Sequence, residues 1–556
     1  MQNEPWLDHY DSNVPTYLNY DPISVVDLFS HQAANHPNEI MLIDGEKVFT
    51  YQQIDQFSNQ VCNGLAAIGC KFDEPIGLMM PNIPQFVISF IGILKFGGVV
   101  TALNPTYSAR ELKYHLSDAG IKTVIAIQSL NEVFINLALD IRLNHIVYTS
   151  ENELIQNDFE FVELMIPKSS ENLALTFQQL LELGRQDQKV SHPSMDSRAI
   201  LQYSGGTTGT PKAAIGTHRN LIANMTQFST WLSGMEDPHQ PILAAIPLFH
   251  VYGMVLCMLL SIKMNVPLVL VHSARDITGI FKAIKIYRPG IFPSVPTQIN
   301  GLLSHPELIN YVDAFRSIQV CISGSAPLRV DVKEKFEKLL GGVLVEGFGM
   351  SEAPTATHCN PIKGVNKPGS IGLPLPDVTC KIVEPGNDEQ IKHICDAGEL
   401  LIRGPQIMQG YLNHDQETQE ILRDGWLHTG DIAVMDEEGY FYIIGRQKDL
   451  IKVGGLQVWP QEIEEVVNLI DGVKESAAAG VADEHSGEKP IVWIVVKEQA
   501  IIDEERVRAF CRQNLASYKV PAEVIFVPNL PRTTVGKLLR RELIADYLDQ
   551  GNHQPA

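Results

Sequence analysis

A loop rich in glycine, serine and threonine lies near the middle of the chain, directly after the short apolar run of residues 199–201. Residues 204–212 contain three glycines, four hydroxyl side chains and Lys212. Glycine leaves backbone N–H groups accessible and lets oxygen atoms approach closely, so such a loop suits a polyphosphate, and Lys212 adds a positive charge. Mobile surface loops share this composition. A Walker A loop is excluded, because Pro211 and Ala213 flank the lysine where that motif needs glycine and Ser or Thr. We therefore expect a nucleotide loop of another kind.

The length, net charge and cysteine pattern of the chain exclude several classes of protein. A chain of 556 residues exceeds what one hydrophobic core normally supports, so two or more domains are expected. The formal net charge of −22 argues against a nucleic-acid partner, which needs a basic face. The eight cysteines form no Cys-x-x-Cys pair, so neither a disulfide framework nor a zinc site is indicated, and a cytoplasmic location is expected. No secretory signal is visible in the first residues.

One long stretch without formal charge could suggest a membrane helix. It lies between Asp237 and Lys263, but Pro241, Pro247 and His250 interrupt it. Prolines and a polar ring within so short a span favour the buried wall of a pocket.

Segments typical of strands and helices alternate through residues 1–200. Residues 75–80 suit a buried strand, 86–94 a helix and 99–105 a strand that ends in a turn. This alternation predicts an α/β fold with mostly parallel sheets covered by helices. Residues 150–194 are polar and irregular, and we expect peripheral connections there. The charged, glycine-rich residues 445–455 mark a change of composition, so we predict a large domain over 1–445 and a small mobile α/β domain over 446–556.

Two apolar runs carry isolated polar or small residues. His250 and Tyr252 stand in the apolar residues 244–253, where a lone histidine is also typical of a hydrogen-bonded core position. Residues 320–323 predict a strand that ends in the small residues Gly324, Ser325 and Ala326, and such a loop admits a flat base or an acyl group close to the backbone.

Further along, carboxylates follow glycine turns. Residues 346–352 place Phe348 between glycines, suited to stacking, and then Ser351 beside Glu352, which are oxygen ligands suited to Mg²⁺. The hydrolase elbow G-x-S-x-G is nearly matched, but its last glycine is missing. Asp431 ends a turn from which a carboxylate can hold a ribose diol, although a plain surface turn has the same composition. Lys537 lies in a tight turn and, taken alone, is typical of a solvated lysine.

Together and in this order, these segments resemble the adenylate-forming superfamily of acyl-CoA synthetases, carrier-loading adenylation domains and luciferases. The resemblance covers essentially the whole chain. Residues 5–7, 346–352, 357–361 and 366–374 are most similar to bacterial medium- and long-chain fatty acid:CoA ligases, and the plant 4-coumarate:CoA ligases are more distant. The resemblance implies two steps: a carboxylate attacks the α-phosphorus of Mg-ATP to give acyl-AMP and pyrophosphate, and the thiol of CoA then displaces AMP.

The resemblance also implies roles for individual residues. The β- and γ-phosphates would contact Ser204, Gly205, Gly206, Thr207, Thr208, Gly209 and Lys212. The adenine and the acyl group would be bordered by Gly324, Ser325, Ala326, Glu346, Gly347, Phe348 and Gly349. Ser351 would contact phosphate, Glu352 would hold Mg²⁺, and Asp431 and Arg446 would take the ribose hydroxyls. Lys537 would bridge the acyl carboxylate and the α-phosphate. The acyl pocket would be lined by His250, Tyr252, Gly253 and Gly324.

The second step implies a rotation of the small domain about a hinge near Lys448. In the pose for thioester formation, a different face would replace Lys537 and open a channel for pantetheine; its residues would be Lys448, Lys452, Gly454, Gly455 and Gln457.

Two positions depart from the family pattern. Ala213 follows the loop lysine where glycine is usual, which would strain the loop if that position needs a positive φ. Phe348 stands where tyrosine is commoner, which keeps the ring and loses the hydroxyl. Neither change removes a group to which the resemblance assigns a role in the chemistry, so we expect an active enzyme.

Other functions stay open at this point. The chain could load a carrier protein from acyl-AMP, activate an aryl acid, bind an acyl group or nucleotide without catalysis, or act as a serine hydrolase through Ser351 and His358. The apolar residues 254–259 favour an aliphatic chain over a polar amino acid. Relatives suggest a homodimer and contact with the membrane leaflet where fatty acids partition.

Overall fold

The computed structural model of the chain describes residues 4–137, 141–151, 173–185, 191–203, 211–454, 456–483, 485–533 and 536–549. Strands and helices alternate as expected, and the α/β fold class is confirmed. The helices run over Val25–Asn35, Tyr51–Ala67, Pro84–Phe96, Ala109–Asp118, Asn131–Leu137, Phe177–Leu183, His218–Trp231, Val251–Gly253, Leu260–Met264, Ile277–Tyr287, Pro296–Ser304, Val312–Phe315, Val330–Leu340, Asp415–Ile421, Pro460–Asn468, Glu504–Asn514 and Arg540–Asp549.

The first sheet has seven strands and is parallel except at one edge. In spatial order its strands are Leu173–Thr176, His145–Thr149, Thr123–Ile127, Pro75–Met79, Val99–Ala102, Arg198–Tyr203 and Ala213–Thr217, of which only the last pair is antiparallel. The short apolar strands are buried on both faces, as parallel strands under helices must be.

The second sheet has nine strands, and its centre is parallel. In spatial order these are Leu373–Pro374, Ala353–Cys359, Val343–Met350, Val320–Ser323, Ile291–Ser294, Ile242–Ala244, Leu268–Leu270, Ile40–Asp44 and Lys47–Thr50. The carboxyl ends of the parallel strands lie along one edge, where open α/β sheets usually bind ligands.

Two further sheets follow, and they are largely antiparallel. One contains Asn387–Ile391, Thr379–Glu384, Gly398–Arg403, Trp426–Met435, Leu422–Arg423 and Phe441–Arg446. The other contains Leu456–Val458, Ile451–Val453, Gly487–Val496, Val473–Asp483 and Glu523–Phe526. Two apolar clusters formed only by residues 451–547 pack against this last sheet. The boundary between residues 445 and 446 stays a prediction, and it falls at the end of the strand Phe441–Arg446.

Several helices start directly where a strand stops, because one residue serves both elements. Thr50 and Thr217 each end a strand, and each accepts a hydrogen bond from the backbone N–H three residues later. The side-chain oxygens of Gln53 and Asn220 in turn accept the backbone N–H of Thr50 and of Thr217, which completes a capping box. These junctions fix the turn from strand to helix without a long loop.

The expectation for residues 150–194 is wrong where the structure describes them. Residues 173–176 form an edge strand, and Phe177–Leu183 forms a helix that buries Phe177, Leu180 and Leu181. Both elements are too short for their periodicity to stand out from the polar residues around them.

The uncharged stretch before Lys263 is a buried wall, as predicted. It contains the strand Ile242–Ala244, two short helices and the π-helical turn Met254–Leu259, whose side chains are all buried. None of the described helices is long and apolar enough to cross a membrane.

A buried lysine joins two helices of the large domain. Lys95 on Pro84–Phe96 is only 1% exposed, and its Nζ donates to Asp55 Oδ1 at 2.6 Å and to Ser58 Oγ and Asn59 Oδ1 at 2.8 Å. All three acceptors lie on Tyr51–Ala67. A charge that has lost its water is tolerated only when such partners replace it.

We expect Asp55→Ala to be more destabilising than Lys95→Met. Removal of the carboxylate leaves a buried ammonium group without its counter-ion and should cost about 3 kcal/mol, whereas methionine keeps the packing and should cost about 1 kcal/mol or less. Urea unfolding of both variants measures the difference. Equal losses would show that the ion pair is irrelevant and that only packing matters at this contact.

Candidate active site

Two neighbouring strand ends form the floor of the site. Ser323 and Glu346 are paired in register on parallel strands, so the loops that follow them leave the sheet side by side. Ser325 adopts a φ of +69°, an uncommon conformation for a residue with a side chain. A Cβ at Gly324 would lie 3.2 Å from the Tyr252 ring, so the close packing of this ring favours glycine there.

Tyr252 is fixed across the same strand ends. Its hydroxyl donates to Ser294 O at 3.1 Å and to Ile322 O at 2.8 Å, and the residue is buried. The predicted pocket residues Tyr252, Gly253 and Gly324 therefore lie together, with Gly253 packed against the carbonyl of Pro247.

Glu346 ties the small-residue loop to its strand. The carboxylate accepts the backbone N–H of Leu328 at 3.1 Å, and burial raises its pKa to about 8. Two residues on, Phe348 pairs with His358 across an antiparallel hairpin, and their rings meet edge to face at 6.0 Å. The His358 ring thereby packs against Phe348.

His358 has other partners than a hydrolase base would have. Its Nδ1 is 2.9 Å from Thr357 Oγ1, its Nε2 is 3.4 Å from Cys380 Sγ, and burial lowers its pKa to about 3. No hydrogen bond between Ser351 and His358 occurs among the described residues. The serine-hydrolase hypothesis therefore lacks its base.

Asp431 and Arg446 are cross-strand partners beside a cleft. Arg446 Nε lies 3.0 Å from Asp431 Oδ1, and the two residues are directly opposite in register. Asp431 is 3% exposed, and its Oδ2 has no hydrogen-bond partner among the described residues. Burial raises the pKa of Asp431, while the charge of Arg446 opposes the shift. The cleft is lined by Thr429, Gly430, Arg446, Gln447 and Lys448.

A buried carboxylate oxygen without a partner needs a donor from elsewhere. The turn before Asp431 aims it, because Thr429 Oγ1 donates to Leu400 O at 2.7 Å and accepts the Asp431 N–H at 3.0 Å. A ligand with neighbouring hydroxyls would supply the missing donor, as predicted for this position.

Lys537 reaches the site from the small domain. Its turn is closed by Gly536 N–H donating to Thr533 O at 2.9 Å, and Gly536 has a φ of +82°. A Cβ on Gly536 would lie 3.1 Å from Thr297 Oγ1, so the turn rests directly on the helix Pro296–Ser304 of the large domain.

The electrostatics place Lys537 among the predicted site residues. Its pKa is lowered to about 8, chiefly by burial and then by the charge of Arg446, whereas the charges of Asp431 and Glu352 oppose the shift. Burial and the Lys537 charge together lower the pKa of His250 to about 4. His250 and Lys537 are 287 positions apart in sequence, yet they are close enough for the charge of Lys537 to act on the ring of His250.

Tyr411 was not foreseen from the sequence, yet it joins two predicted groups. Its hydroxyl donates to Glu352 Oε1 at 2.7 Å, and Lys212 Nζ lies 5.6 Å from the centre of its ring. Lys212 also forms an ion pair with Glu417 at 3.5 Å. The only signal in the sequence is a glycine followed by an aromatic residue, which is too common to identify a site.

Most of the glycine-rich loop, namely Ser204, Gly205, Gly206, Thr207, Thr208 and Gly209, lies outside the described residues, as does Gly455. Both ends of the loop are held by the helix Ala109–Asp118. Tyr203 hydroxyl donates to Asp118 Oδ2 at 2.7 Å, and Tyr114 hydroxyl donates to Pro211 O at 2.8 Å. Ala213 starts a buried strand opposite Tyr203 and does not have a positive φ, so the strain considered for it is absent.

The residues predicted for a second pose lie on a separate hairpin. Lys452 is paired with Gln457 between Ile451–Val453 and Leu456–Val458, and Gly454 between them has a φ of +57°. Backbone N–H of Lys452 donates to Glu488 Oε2 at 2.6 Å. In the described part of the chain, no hydrogen bond or ion pair joins this hairpin to Lys537. Of the described members of that group, Lys448 borders the cleft.

Comparison with known proteins places these features in a family. Residues 29–412 match the model of the AMP-binding enzyme, and residues 462–537 match the AMP-binding enzyme C-terminal domain. The chain is 37% identical to a long-chain-fatty-acid–CoA ligase of Bacillus subtilis over 100% of both chains. It is 35% identical to a protein of that name from Salmonella typhimurium over 97% of each. Among solved structures, ATP-bound MatB from Rhodopseudomonas palustris is 26% identical, with a TM-score of 0.83 over 94% of this chain and 99% of that one.

Tyr411→Phe should weaken the binding of Mg-ATP about tenfold. The variant keeps the ring under Lys212 and removes the hydroxyl that orients Glu352, and a hydrogen bond to a charged group contributes about 1.5 kcal/mol. Calorimetric titration of Mg-ATP measures the dissociation constant. Tyr442→Phe is the matched control, because Tyr442 donates instead to Asp436 at 3.3 Å. An unchanged constant for Tyr411→Phe would contradict the role of its hydroxyl.

Proposed function

The chain belongs to the AMP-binding enzyme family, and we propose that it joins a fatty acid to CoA through an acyl-adenylate, with AMP and pyrophosphate as the other products. The observation that carries this proposal is the position of Lys537, a partly desolvated cation beside Asp431, Arg446 and His250. Full-length similarity to long-chain fatty acid ligases supports the choice of acid.

The first step brings two anions together. A carboxylate oxygen of the fatty acid forms a bond to the α-phosphorus of ATP, and the bond from that phosphorus to the bridging oxygen breaks, so pyrophosphate leaves. Electrostatic repulsion dominates the barrier, and a preorganised cation lowers it. Lys537 would lie between the two reactants, and Arg446 and Asp431 would hold the ribose.

The phosphate end would be held by Lys212 and by a divalent cation at Glu352. The residues there fit Mg²⁺, because it commonly takes one carboxylate and completes its shell with phosphate oxygens and water. Glu352 offers such a carboxylate, oriented by Tyr411 at 2.7 Å. A bound Mg²⁺ would neutralise charge on the departing pyrophosphate. The remaining loop residues, from Ser204 to Gly209, would donate backbone N–H groups to the same phosphates.

His250 would contact the carboxylate as a neutral ring. Its Nδ1 accepts the Tyr252 N–H at 3.2 Å, which leaves Nε2 as the atom able to donate. Burial keeps its pKa near 4, so the ring does not compete with Lys537 for the role of the cation.

In the second step the thiol of CoA attacks the acyl carbonyl, its sulfur forms the thioester, and AMP leaves. We propose that the small domain rotates for this step and brings the face of Lys452, Gly454, Gly455 and Gln457 to the site. Arg540 forms ion pairs with Asp449 at 3.7 Å and with Glu464 at 2.7 Å, so residue 449 would move with the small domain. This supports a pivot at Lys448, directly before it.

The apolar wall favours an aliphatic acid. All side chains from Val251 to Ile262 are buried, and none in that segment carries a charge. An aryl acid is the second candidate, since a probable 4-coumarate–CoA ligase of Dictyostelium discoideum is 29% identical over 91% of this chain. Loading of an acyl carrier protein, a homodimer, contact with a membrane and a cytoplasmic location stay predictions.

The acid specificity can be tested by pyrophosphate release with acetate, octanoate, palmitate and 4-coumarate, each with and without CoA. We expect turnover to peak at octanoate or palmitate and to depend on CoA. Acyl-AMP that accumulates in the presence of CoA would favour the carrier-loading alternative, and a maximum with 4-coumarate would favour the aryl acid.

Lys537→Ala should lower kcat/KM for adenylation by about 10²–10³, the usual effect of removing one transition-state partner. Its thioester step, started from synthetic acyl-AMP and CoA, should change by less than about threefold, because Lys537 leaves the site before that step. Lys489→Ala is the control, since Lys489 is paired with Glu523 within the small domain. Equal losses in both steps would contradict the assignment.

The pH profile gives a second test of Lys537. The cationic form is the active one, and burial lowers its pKa to about 8, so wild-type kcat/KM for adenylation should fall as the pH rises through about 8. Lys537→Arg keeps its charge at high pH and should remove this decline while lowering the maximum. A wild-type profile that stays level to pH 10 would overturn the interpretation.

A further inference from the structure

One buried side chain lies at the junction of the two large sheets. Asn82 follows the strand Pro75–Met79 of the seven-stranded sheet and is 2% exposed. Its hydrogen-bond partners all belong to the nine-stranded sheet or to the segment that leaves it. Asn82 therefore links the seven-stranded sheet to the nine-stranded sheet.

The amide group of Asn82 makes bonds on both sides. Its Nδ2 donates to Ala244 O at 3.1 Å, Ile246 O at 2.9 Å and Val271 O at 3.1 Å. Its Oδ1 accepts the backbone N–H of Leu248 at 2.8 Å. One small side chain thus satisfies four buried backbone groups.

The strand ends there, so Asn82 bonds to backbone groups that the sheet no longer pairs, such as Ile246 O and the Leu248 N–H. Ala244 O differs, because it also accepts the backbone N–H of Val271 at 3.1 Å. The last paired residue of Ile242–Ala244 is Ala244, and the chain then turns away from the sheet through Pro247, which has no N–H to donate. Ile246 and Leu248 are both buried, so their backbone groups cannot turn to water. The short amide side chain of asparagine offers two N–H donors, which the three carbonyls share, and one acceptor for the Leu248 N–H.

The turn held by Asn82 leads directly to His250. His250 N–H donates to Pro247 O at 3.2 Å, and a Cβ on Gly253 would lie only 2.3 Å from the same carbonyl oxygen. The turn is therefore clamped between Asn82 on one side and the first turn of the following helix on the other. His250 is the N-cap of that helix, and its ring accepts the backbone N–H of Tyr252. The position of the ring therefore depends on the position of this turn.

We propose that Asn82 is a positioning residue for the first step of the reaction: it fixes the turn at Pro247 and thereby the position of His250, the cap of the helix that follows. The inference rests on the proposed function for its kinetic consequences. It assigns Asn82 no contact with substrate. Its effect is confined to the acid and its carboxylate, because the groups assigned to the ribose and the phosphates lie on other elements.

The test compares Asn82→Ser and Asn82→Ala with Asn63→Ser. Serine keeps one donor and one acceptor, and alanine removes both. Asn63 is another buried asparagine, 8% exposed, that donates to a backbone carbonyl, Gly184 O at 3.2 Å, between outer helices. We expect Asn82→Ala to lower kcat/KM for the fatty acid by about 10²-fold, as small misplacements near reacting groups do. The dissociation constant for ATP should stay within about twofold, and Asn63→Ser should change neither.

A double-mutant cycle with His250→Ala separates positioning from a general loss of stability. If Asn82 acts through His250, then Asn82→Ser added to His250→Ala should cause no further loss of kcat/KM. Additive losses would overturn the proposal. Failure of both Asn82 variants to fold, with Asn63→Ser folding normally, would also overturn it, because Asn82 would then act on the whole domain.

A readout that does not need turnover keeps this inference distinct from the proposed function. In spectra of the full chain with labelled histidine, the His250 signal is assigned by its absence in His250→Ala. We expect Asn82→Ser to shift this signal and to leave those of the other histidines in place. A wild-type protein inactive with every acid would sink the proposed function but not this test. An unmoved His250 signal would sink the positioning role, whatever the activity.

Discussion

Desolvation of charge is the constraint on which the rest of this structure depends. The charges of Arg446 and Glu352 act on the pKa values of Lys537 and Asp431, and burial is the largest influence on both of those pKa values. Charges removed from water act strongly on a reactant, because the surrounding dielectric screens them less. Such a group is stable only when its partners are held rigidly, since each loses hydration that the others must replace. The parallel sheets, the cross-strand pair Asp431 and Arg446 and the closed turn at Lys537 supply that rigidity.

The carboxyl edge of the nine-stranded sheet explains why so few residues are needed to build the site. Ser323 and Glu346 are paired in register on adjacent parallel strands. The hydroxyl of Tyr252, which lies on another element, bonds to backbone carbonyls at the same edge of the sheet. Asn82 also bonds to buried backbone groups, and its bonds join two different sheets. Hydrogen bonds to backbone carbonyls recur at each of these points, because chain segments that leave a buried sheet carry polar groups that must be satisfied.

The sequence was sufficient for features that depend on local chemistry. Alternating elements, the wall around Met254 and the glycine turns at Asp431 and Gly324 follow from residue type and spacing, and the fold class and the family are confirmed. It was insufficient where function depends on a single long-range bond. Tyr411 contacts a residue 59 positions away, and Asn82 contacts residues more than 160 positions away, so neither has a pattern around it. Short elements such as Leu173–Thr176 were missed because four residues carry no measurable period.

The contact between the two parts is compatible with the proposed rotation. The apolar clusters of residues 451–547 are complete within the small domain, so separating the parts exposes neither core. The described bonds across the contact include Arg329 donating to the carbonyl of Lys474 at 3.2 Å, and the close packing of Gly536 on Thr297. Bonds to backbone atoms can be replaced by water at little net cost, since a hydrogen bond contributes only about 1 kcal/mol beyond its hydrated state. Lys537 is the exception, because its charge would regain full hydration if the turn withdrew in the proposed rotation. Its depressed pKa therefore marks a cation that is held in place at a free-energy cost, and a bound triphosphate would remove that cost. Under the proposed function, nucleotide binding would therefore favour the arrangement that has Lys537 in the site, and loss of pyrophosphate would release it.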